Sequence, residues 1–293
     1  MADPEGEARK IRERYEELRL SLNQAAGNVP DGSDARIIGW NDNDIVAPKI
    51  TEPVLYDAIS LQDIVPYINW IYFHSCWRTP QDSDEGAKLR ADADRLLSEL
   101  IAYGATMRAY AAILPAYGDA EHDRIFVDGV GIPTPRQDSK PGRTELLSLS
   151  DFVAPKGHND HVGVFMVTTG DRLREAVANE RDEYRRLLLQ SLCDRLAEAT
   201  SEWLHRQVRT RIWGYEPEGA EDLDTIRHAR YRGIRPAIGY PSLPDQSLMQ
   251  TLAKLVPVDK LGIQVTVNGA LNPSSSVAGF YLASPQARYF TCR

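Results

Sequence analysis

The sequence is poor in cysteine and has neither a long apolar run nor an excess of positive charge. Its 293 residues contain three cysteines, Cys76, Cys193 and Cys292, which are scattered and odd in number. This pattern predicts neither a zinc site nor a disulfide framework and is typical of a protein of the reducing cytosol. We therefore expect a cytoplasmic protein.

Two further absences narrow the class of protein. No run of about 18 apolar residues occurs and the first residues lack the basic segment and apolar core of a signal peptide, so no membrane association is expected. The formal net charge of −8 argues against a nucleic-acid partner, because phosphate binding needs a basic surface.

Common catalytic and cofactor motifs are also lacking. The sequence has no Gly-x-Gly-x-x-Gly, no Gly-x-Ser-x-Gly, no phosphate loop and no His-Glu-x-x-His. The pair His158 and His161 has no third metal ligand nearby, so it is more typical of a surface loop than of a metal site. No metal site is predicted, and no catalytic residue can be named from these patterns.

The spacing of apolar residues predicts long helices. A charged amphipathic helix is expected over residues 5–26, followed by a loop at 28–34. One or two helices, interrupted at Pro66, are expected over residues 58–76. Another helix is expected over residues 84–103, and its apolar face is formed by Leu89, Ala93, Leu96, Leu97 and Leu100.

The longest helix is predicted over residues 180–211. Three polar residues, Asp194, Glu198 and His205, lie beside its apolar stripe at helical spacing. Glu198 can therefore project from a rigid element towards a cleft. A carboxylate in this position is more often a solvated surface group, and helical spacing alone does not distinguish the two.

Short apolar and alternating segments predict β-strands between these helices. Strands are expected over 107–115 and 124–127, joined by a turn at Gly118 and Asp119, and over the buried run 162–167. Two β-rich segments follow, at 261–268 and 277–290. Because no regular βαβ rhythm is present, the sequence predicts an α+β fold with a mostly antiparallel sheet.

The segment Arg235-Pro-Ala-Ile-Gly-Tyr240 is the most informative motif of the chain. Arg235 can hold a carboxylate through two parallel hydrogen bonds, and Gly239 allows a ligand to approach the backbone. Ala237 leaves its backbone groups open to a purine edge, and Tyr240 can stack on a ring or face a cation. These features suit a small zwitterion that carries an aromatic base. The alternative is a Pro/Gly-rich surface turn.

This segment resembles the Arg-x-x-x-Gly-Tyr signature of the S-adenosylmethionine-binding activation domain of cobalamin-dependent methionine synthase. The resemblance continues in order from about Ile59 to Cys292. Further segments that are similar to the family are Tyr67-Ile-Asn-Trp70, Asp151-Phe-Val-Ala-Pro155, Asp194-Arg-Leu-Ala-Glu198 and Pro273-Ser-Ser-Ser276.

The resemblance implies a fold, a ligand and a set of site residues. It implies a C-shaped activation-type domain over 46–293, with a twisted, mostly antiparallel sheet and long flanking helices, preceded by a helical arm and linker over 1–45. It implies that the domain binds S-adenosylmethionine. The binding residues that it implies are Asn69, Glu198, Arg235, Ala237, Gly239, Tyr240 and Tyr289.

One of these positions departs from the family pattern, since Asn69 stands where the family has aspartate. An amide keeps a hydrogen bond to an ammonium group but loses a Coulomb attraction of roughly 1 to 4 kcal/mol at contact distance. The methionine end of the ligand is therefore expected to bind more weakly or to be held differently.

The resemblance implies methyl transfer from S-adenosylmethionine to cob(I)alamin. The sequence shows no Asp-x-His-x-x-Gly corrinoid motif, so cobalamin is expected only through a partner, a corrinoid-binding protein or a split methionine synthase. The alternative is a repurposed enzyme that uses S-adenosylmethionine on a small-molecule acceptor, or cyclises it, without cobalamin. A third hypothesis is that the protein is a non-catalytic ligand-binding subunit.

Overall fold

The computed structural model describes residues 40–139, 145–219, 225–226 and 229–292. The chain divides into two units, and the first, residues 1–35 and 140–145, lies almost wholly outside this described part. The predicted helix over 5–26 and loop over 28–34, and with them most of the predicted arm over 1–45, therefore lie outside the described residues. All the elements below belong to the second unit.

An antiparallel sheet forms the centre of the second unit. Its strands are β1 (Val54–Ser60), β2 (Thr106–Asp119), β3 (Arg124–Val127), β4 (Val130–Pro133), β5 (Asp160–Thr169) and β8 (Ser276–Tyr281). The spatial order is β4-β3-β2-β5-β8, and β1 also pairs with β2. A separate two-stranded ladder consists of β6 (Gln264–Val265) and β7 (Leu271–Asn272).

Strand β2 organises the sheet because it pairs with three other strands. Its residues from Met107 to Ala116 are opposite Thr169 to Asp160 of β5, and its end at 116–119 pairs with β3. Strand β5 then pairs with β8, where Gly163 is opposite Tyr281. These long-range antiparallel pairings join segments that are far apart in the sequence.

Both faces of the sheet are buried at its central strands, β2 and β5. Side chains alternate along a strand, so Met107, Ala109 and Ala111 of β2 pack into one hydrophobic cluster while Tyr110 and Ala112 pack into the other. A strand that is buried on both faces needs apolar residues at consecutive positions. This explains the continuous apolar run at 162–167, and the prediction of a buried strand there is confirmed.

Helices cover the sheet. They are α1 (Leu61–Ile64), α2 (Trp70–Cys76), α3 (Asp84–Ala102), α4 (Asp171–Asn179), α5 (Glu183–Gln207), α6 (Leu248–Leu252) and α7 (Val258–Leu261). Short 3₁₀ turns occur at Asp42–Asp44, Val65–Tyr67 and Leu149–Phe152, and α5 continues into a π-helical turn at Val208–Ile212. No helix in the described part of the chain combines the length and the apolar character that a bilayer crossing requires.

The two long helices begin at good N-caps. The Ser83 side chain accepts a hydrogen bond from the Gly86 N–H at the start of α3, and Asp182 does the same for Arg185 at the start of α5. All five residues predicted on the apolar face of α3 are buried. The α+β class, with an antiparallel sheet and long flanking helices, is confirmed.

Several predicted boundaries are wrong. Residues 58–60 belong to β1 rather than to a helix, and the helical stretch is interrupted after Pro66, where Asn69 caps α2. Gly118 and Asp119 are the last residues of β2, so the turn follows them. Gly118 stays in the strand because its N–H bonds to Ala154 O at 2.8 Å, and a Cβ there would meet Val153 O at 2.4 Å.

The two β-rich segments near the end of the chain are also shorter than predicted. In the first, Leu261 ends α7 and only Gln264–Val265 form a strand. The second leaves the sheet after Tyr281, four residues before Pro285, which has no N–H to donate to a ladder.

Candidate binding site

The site is built on a segment that docks against the edge strand β8. The N–H groups of Ile234 and Leu282 each donate to the other residue's carbonyl oxygen at 3.0 Å. The Phe280 N–H donates to Pro236 O at 3.0 Å, and further along the Ile238 N–H donates to a β8 carbonyl. Arg235 is therefore carried on a backbone that extends the central sheet, rather than on a free surface turn.

A tight turn ends this segment. The Tyr240 N–H donates to Ala237 O at 3.3 Å, and the Gly239 N–H donates to Leu243 O at 2.8 Å. Gly239 has a φ of +89°, which side-chain-bearing residues rarely adopt. Ala237 is only 4% exposed and its carbonyl already takes part in the turn. Tyr240, in contrast, remains 44% exposed at the tip.

Arg235 is the buried cation of the site, with 8% of the residue exposed. Its Nη2 donates to Glu202 Oε1 at 2.5 Å, and its backbone N–H donates to the hydroxyl of Tyr289 at 2.9 Å. The guanidinium carbon lies 5.7 Å from the centre of the Phe165 ring. The arginine is thus fixed at both its backbone and its side chain.

The charge of Arg235 is maintained despite its burial. Loss of solvent acts against the charged form, but the neighbouring carboxylates of Glu202 and Glu198 together hold the pKa of Arg235 well above its usual range. A permanently charged guanidinium in a site that water hardly reaches is a strong anchor for an anion.

Helix α5 supplies the carboxylates. Glu198 and Glu202 are four residues apart, so they lie one above the other on the same face. The hydroxyl of Tyr240 donates to Glu198 Oε1. Burial, followed by the Glu198 charge, raises the pKa of Tyr240 above its usual value, so the phenol stays protonated and can donate. One turn earlier, Asp194 accepts a hydrogen bond from the Ser275 hydroxyl at 2.6 Å.

Aromatic rings pack behind Arg235 and keep it rigid. Phe165 stacks on Tyr281 at 4.7 Å between ring centres, and Tyr281 stacks on His205 at 5.0 Å. His205 also meets Tyr231 edge-on at 5.1 Å. His205 lies seven residues after Glu198 on the same side of α5, as its spacing predicts, but it is completely buried. The C-terminal part of α5 enters the core, where Ser201, Leu204, His205 and Gln207 are all buried.

Asn69 occupies a different element. It is the N-cap of α2, and its Oδ1 accepts a hydrogen bond from the Ile71 N–H at 3.1 Å. Two residues earlier, the Tyr67 hydroxyl accepts from Arg206 Nη1 at 3.3 Å. Arg206 is one turn beyond Glu202 on α5, so the segment that carries Asn69 approaches the C-terminal end of the same helix face.

The structure brings most of the predicted residues together. Arg235, Ala237, Gly239 and Tyr240 lie within one segment. Hydrogen bonds join Tyr289 to the start of this segment and Glu198 to its tip. Asn69 is placed near this group only through α5. Sequence reasoning missed Glu202, although its spacing of four from Glu198 was a signal that could have identified it.

A cavity of about 550 Å³ lies beside this group rather than on it. It is open to solvent and is lined by residues of α4, α5 and the β6–β7 ladder, and Ser275 links its wall to Asp194. The Arg174 guanidinium in this wall already donates to the carbonyls of Thr169, Gly262 and Leu261. For an anionic ligand we therefore favour the neighbourhood of Arg235, where the guanidinium has donors left.

The described residues contain no group of three or more His, Cys, Asp or Glu side chains that could hold a metal ion. His158 instead pairs with Asp42, at 2.5 Å between Nδ1 and Oδ1. The nearby His161 is partly buried, and burial lowers its pKa.

Two comparisons with known proteins agree with this architecture. The crystal structure of the MetH reactivation domain bound to AdoHcy matches with a TM-score of 0.79 and 28% sequence identity, over 88% of this chain and 87% of that chain. The model of the vitamin B12 dependent methionine synthase activation domain matches residues 60–293. The chain therefore belongs to the family of the vitamin B12-dependent methionine synthase activation domain.

Proposed function

We propose that this protein binds S-adenosylmethionine in the groove between α5 and residues 235–243. We further propose that it supplies the methyl group for methylation of a cob(I)alamin that is carried by a separate corrinoid-binding protein, with S-adenosylhomocysteine as the leaving group. The observation that carries the proposal is the buried, charged Arg235 opposite the carboxylates of α5, in a chain of this family. The matched reactivation domain binds AdoHcy, which shares the amino-acid tail and the nucleoside of this ligand.

The residues fit the two ends of such a ligand. Among the described residues the side chain of Arg235 donates only through Nη2, to Glu202, so the guanidinium has further donors for a ligand carboxylate. In this proposal Glu198 and Asn69 attract the ammonium and sulfonium groups. Tyr240, at the exposed tip, stacks on the adenine, whose edge runs along the backbone at Ala237 and Gly239, and Tyr289 supports the base of the segment.

The chemistry asks little of the protein beyond positioning. Cobalt(I) in a corrinoid is a strong nucleophile that displaces a sulfonium leaving group in line and needs no general base. The residues of this chain would hold the methyl donor in one orientation and limit water around its charged sulfur. A site that combines the buried cation of Arg235, the carboxylates of α5 and the exposed ring of Tyr240 is suited to that task.

The same proposal assigns residues 46–293 to the ligand-binding domain and 1–45 to an arm and linker. The family match begins at residue 60, but β1 starts at Val54 and pairs with β2 in the central sheet. The folded domain therefore includes residues before the start of the family match.

A second candidate function is favoured by Asn69. Loss of the family carboxylate at this position is compatible with an enzyme that retains S-adenosylmethionine but acts on a small molecule, or cyclises its ligand, without cobalamin. In that case the protein would transfer the methyl group or the aminocarboxypropyl group, or close the ligand's own ring.

Incubation with methyl-labelled S-adenosylmethionine separates the two functions. We expect labelled methylcobalamin when a reduced corrinoid protein is present, and no turnover without it. Consumption of the ligand in the absence of any corrinoid would support the second candidate and contradict the first.

Binding itself is tested by calorimetry, where Arg235→Ala should weaken affinity by about 2 to 4 kcal/mol. The control is Arg211→Ala, which removes an exposed arginine paired with Glu218.

A further inference from the structure

Glu202 is the closest charged partner of Arg235, and the pair is only half satisfied. Arg235 Nη2 donates to Glu202 Oε1 at 2.5 Å. Among the described residues, Arg235 Nε and Glu202 Oε2 are both buried without a hydrogen-bond partner. An unpaired donor and an unpaired acceptor therefore belong to two groups that are already joined by one bond.

A guanidinium presents its donors along two usable edges. One edge offers Nε and Nη2, and the other offers Nη1 and Nη2, and either can hold a carboxylate with parallel hydrogen bonds. Because Glu202 engages Nη2 and the vacant Nε is on the same edge, the two carboxylate oxygens suit the Nε–Nη2 edge. The Nη1 end is then the part of Arg235 that remains for a second carboxylate.

We propose that Glu202 is a positioning residue for the ligand's carboxylate: it holds the Nε–Nη2 edge of Arg235 and thereby directs Nη1 into the groove. This inference rests on the proposed function and adds to it a residue that acts through Arg235. Tyr289 fixes the backbone of the arginine and Phe165 lies against its guanidinium, so Glu202 is the part that sets the rotation of the head group.

Two effects of Glu202 on a carboxylate ligand oppose each other. Its negative charge repels the ligand, whereas its hydrogen bond orients the arginine. Orientation dominates here because Arg235 is only 8% exposed, and a buried cation without its partner turns towards another acceptor. Glu198, one turn away on α5 and already near the guanidinium, is such an acceptor. Without Glu202, the arginine would pair with Glu198 and its free end would leave the groove.

The test combines a change in the protein with a change in the ligand. Calorimetry compares S-adenosylmethionine with its decarboxylated form, which keeps the sulfonium and ammonium groups and lacks only the carboxylate. For the wild-type protein we expect a preference for the carboxylated ligand of about tenfold or more. In Glu202→Gln we expect affinity for S-adenosylmethionine to fall about tenfold and affinity for the decarboxylated ligand to stay within about twofold.

The controls separate positioning from a general loss of structure. Glu183→Gln makes the same change on the same helix at an exposed residue of its first turn and should leave both affinities unchanged. Glu202→Asp keeps the charge and should recover part of the preference. If Glu202→Gln keeps or increases the preference for the carboxylated ligand, the positioning role is refuted while the proposed function stands. If the wild-type protein binds neither ligand, the proposed function fails, and this inference fails with it.

Discussion

Gly279 of β8 lies directly against the backbone of Pro236. A Cβ atom built on Gly279 would come within 2.2 Å of the Pro236 carbonyl oxygen and 2.7 Å of the Ala237 Cα. Gly279 is opposite Ala237 in an antiparallel bridge, so only a residue without a side chain lets the segment that carries Arg235 reach the sheet. The position of the buried arginine therefore depends on a glycine 44 residues later in the sequence.

We predict that Gly279→Ala displaces residues 234–238 from β8. The clash is with backbone atoms, which cannot move aside as a side chain can, so the free energy of unfolding should fall by about 1 to 3 kcal/mol. Urea denaturation measures this loss, and calorimetry should show weaker binding of S-adenosylmethionine. The matched control is Gly131→Ala in β4, where the atoms nearest to the new methyl belong to the Phe126 side chain, the first at 3.2 Å. Equal stability losses in the two variants would contradict the prediction.

A second prediction concerns the buried ion pair of Arg209 and Glu216. Arg209 is fully buried, and its Nε donates to Glu216 Oε2 at 2.9 Å, while Glu216 Oε1 accepts from the Arg232 N–H. Glu216→Gln removes a carboxylate charge that lies beside a completely buried guanidinium. Loss of one partner of a buried pair costs up to about 3 to 5 kcal/mol, and urea denaturation measures this cost as a fall in the free energy of unfolding.

The chain offers a closely matched control for this pair. Arg211 and Glu218 have the same separation of seven residues and a 2.6 Å contact, but their side chains are 64% and 61% exposed. Glu218→Gln should therefore cost no more than about 1 kcal/mol, because solvent screens the exposed pair. A Glu216→Gln variant as stable as Glu218→Gln would show that the buried contact contributes little.

Local patterns predicted the long elements of the fold well. The five apolar residues of α3 identify a buried face because helical periodicity is a property of the sequence alone. The edge strand β1 was missed, since its exposed residues Asp57 and Ala58 interrupt the alternation at a β-bulge. The turn after β2 was misplaced because Gly118 is held in the strand by a contact with Ala154, a tertiary constraint that no local pattern contains.

The site was predicted mainly through resemblance to a family. Motif chemistry indicated that Arg235 would hold a carboxylate, and the structure shows that a carboxylate of the protein itself, Glu202, already lies at its Nη2. The burial of His205 was not foreseen, because helical spacing gives the angular position of a residue but not how much of the surrounding helix is covered. That information comes from the packing of Tyr281 and Tyr231 around it.

The third prediction is a pH dependence of stability that originates in His205. Burial, with the charges of Arg209 and Arg235, holds the pKa of this imidazole well below its usual value. The unfolded chain takes up a proton below about pH 6.5 while the folded protein does not, so stability is full above that pH and is lost as the pH falls. The loss from this one group approaches about 1.4 kcal/mol per pH unit.

Urea denaturation at about pH 7.5 and about pH 5.5 tests this effect. His205→Gln removes the titrating group, so we expect a shallower loss of stability on acidification than in the wild-type protein, whatever its stability at the higher pH. Burial also lowers the pKa of His74 and of His161, so part of the dependence of the free energy of unfolding on pH should remain in this variant. The control is His122→Gln, since contact with Asp119 raises the pKa of His122 and its contribution has the opposite sign. An unchanged slope in His205→Gln would exclude His205 as the source.

The fourth prediction uses Asn69, the position that departs from the family aspartate. Asn69→Asp keeps a side-chain oxygen for the Ile71 N–H and places a negative charge at the N-terminus of α2, so the cap and the stability should be preserved within about 0.5 kcal/mol. If the ligand's ammonium lies next to this position, the new charge should strengthen binding of S-adenosylmethionine by about three- to tenfold in calorimetry.

Asn41→Asp is the matched control, because Asn41 also caps a short helical turn through the N–H two residues later. It makes the same chemical change and should leave binding unaffected. Asn69→Ala removes the cap as well and should cost about 1 kcal/mol of stability. The binding gain should diminish at high salt, since it arises from a charge at a partly exposed residue. An Asn69→Asp variant that binds no more tightly than wild type would mean that the ammonium of the ligand is held elsewhere, with Glu198 the remaining carboxylate for that role.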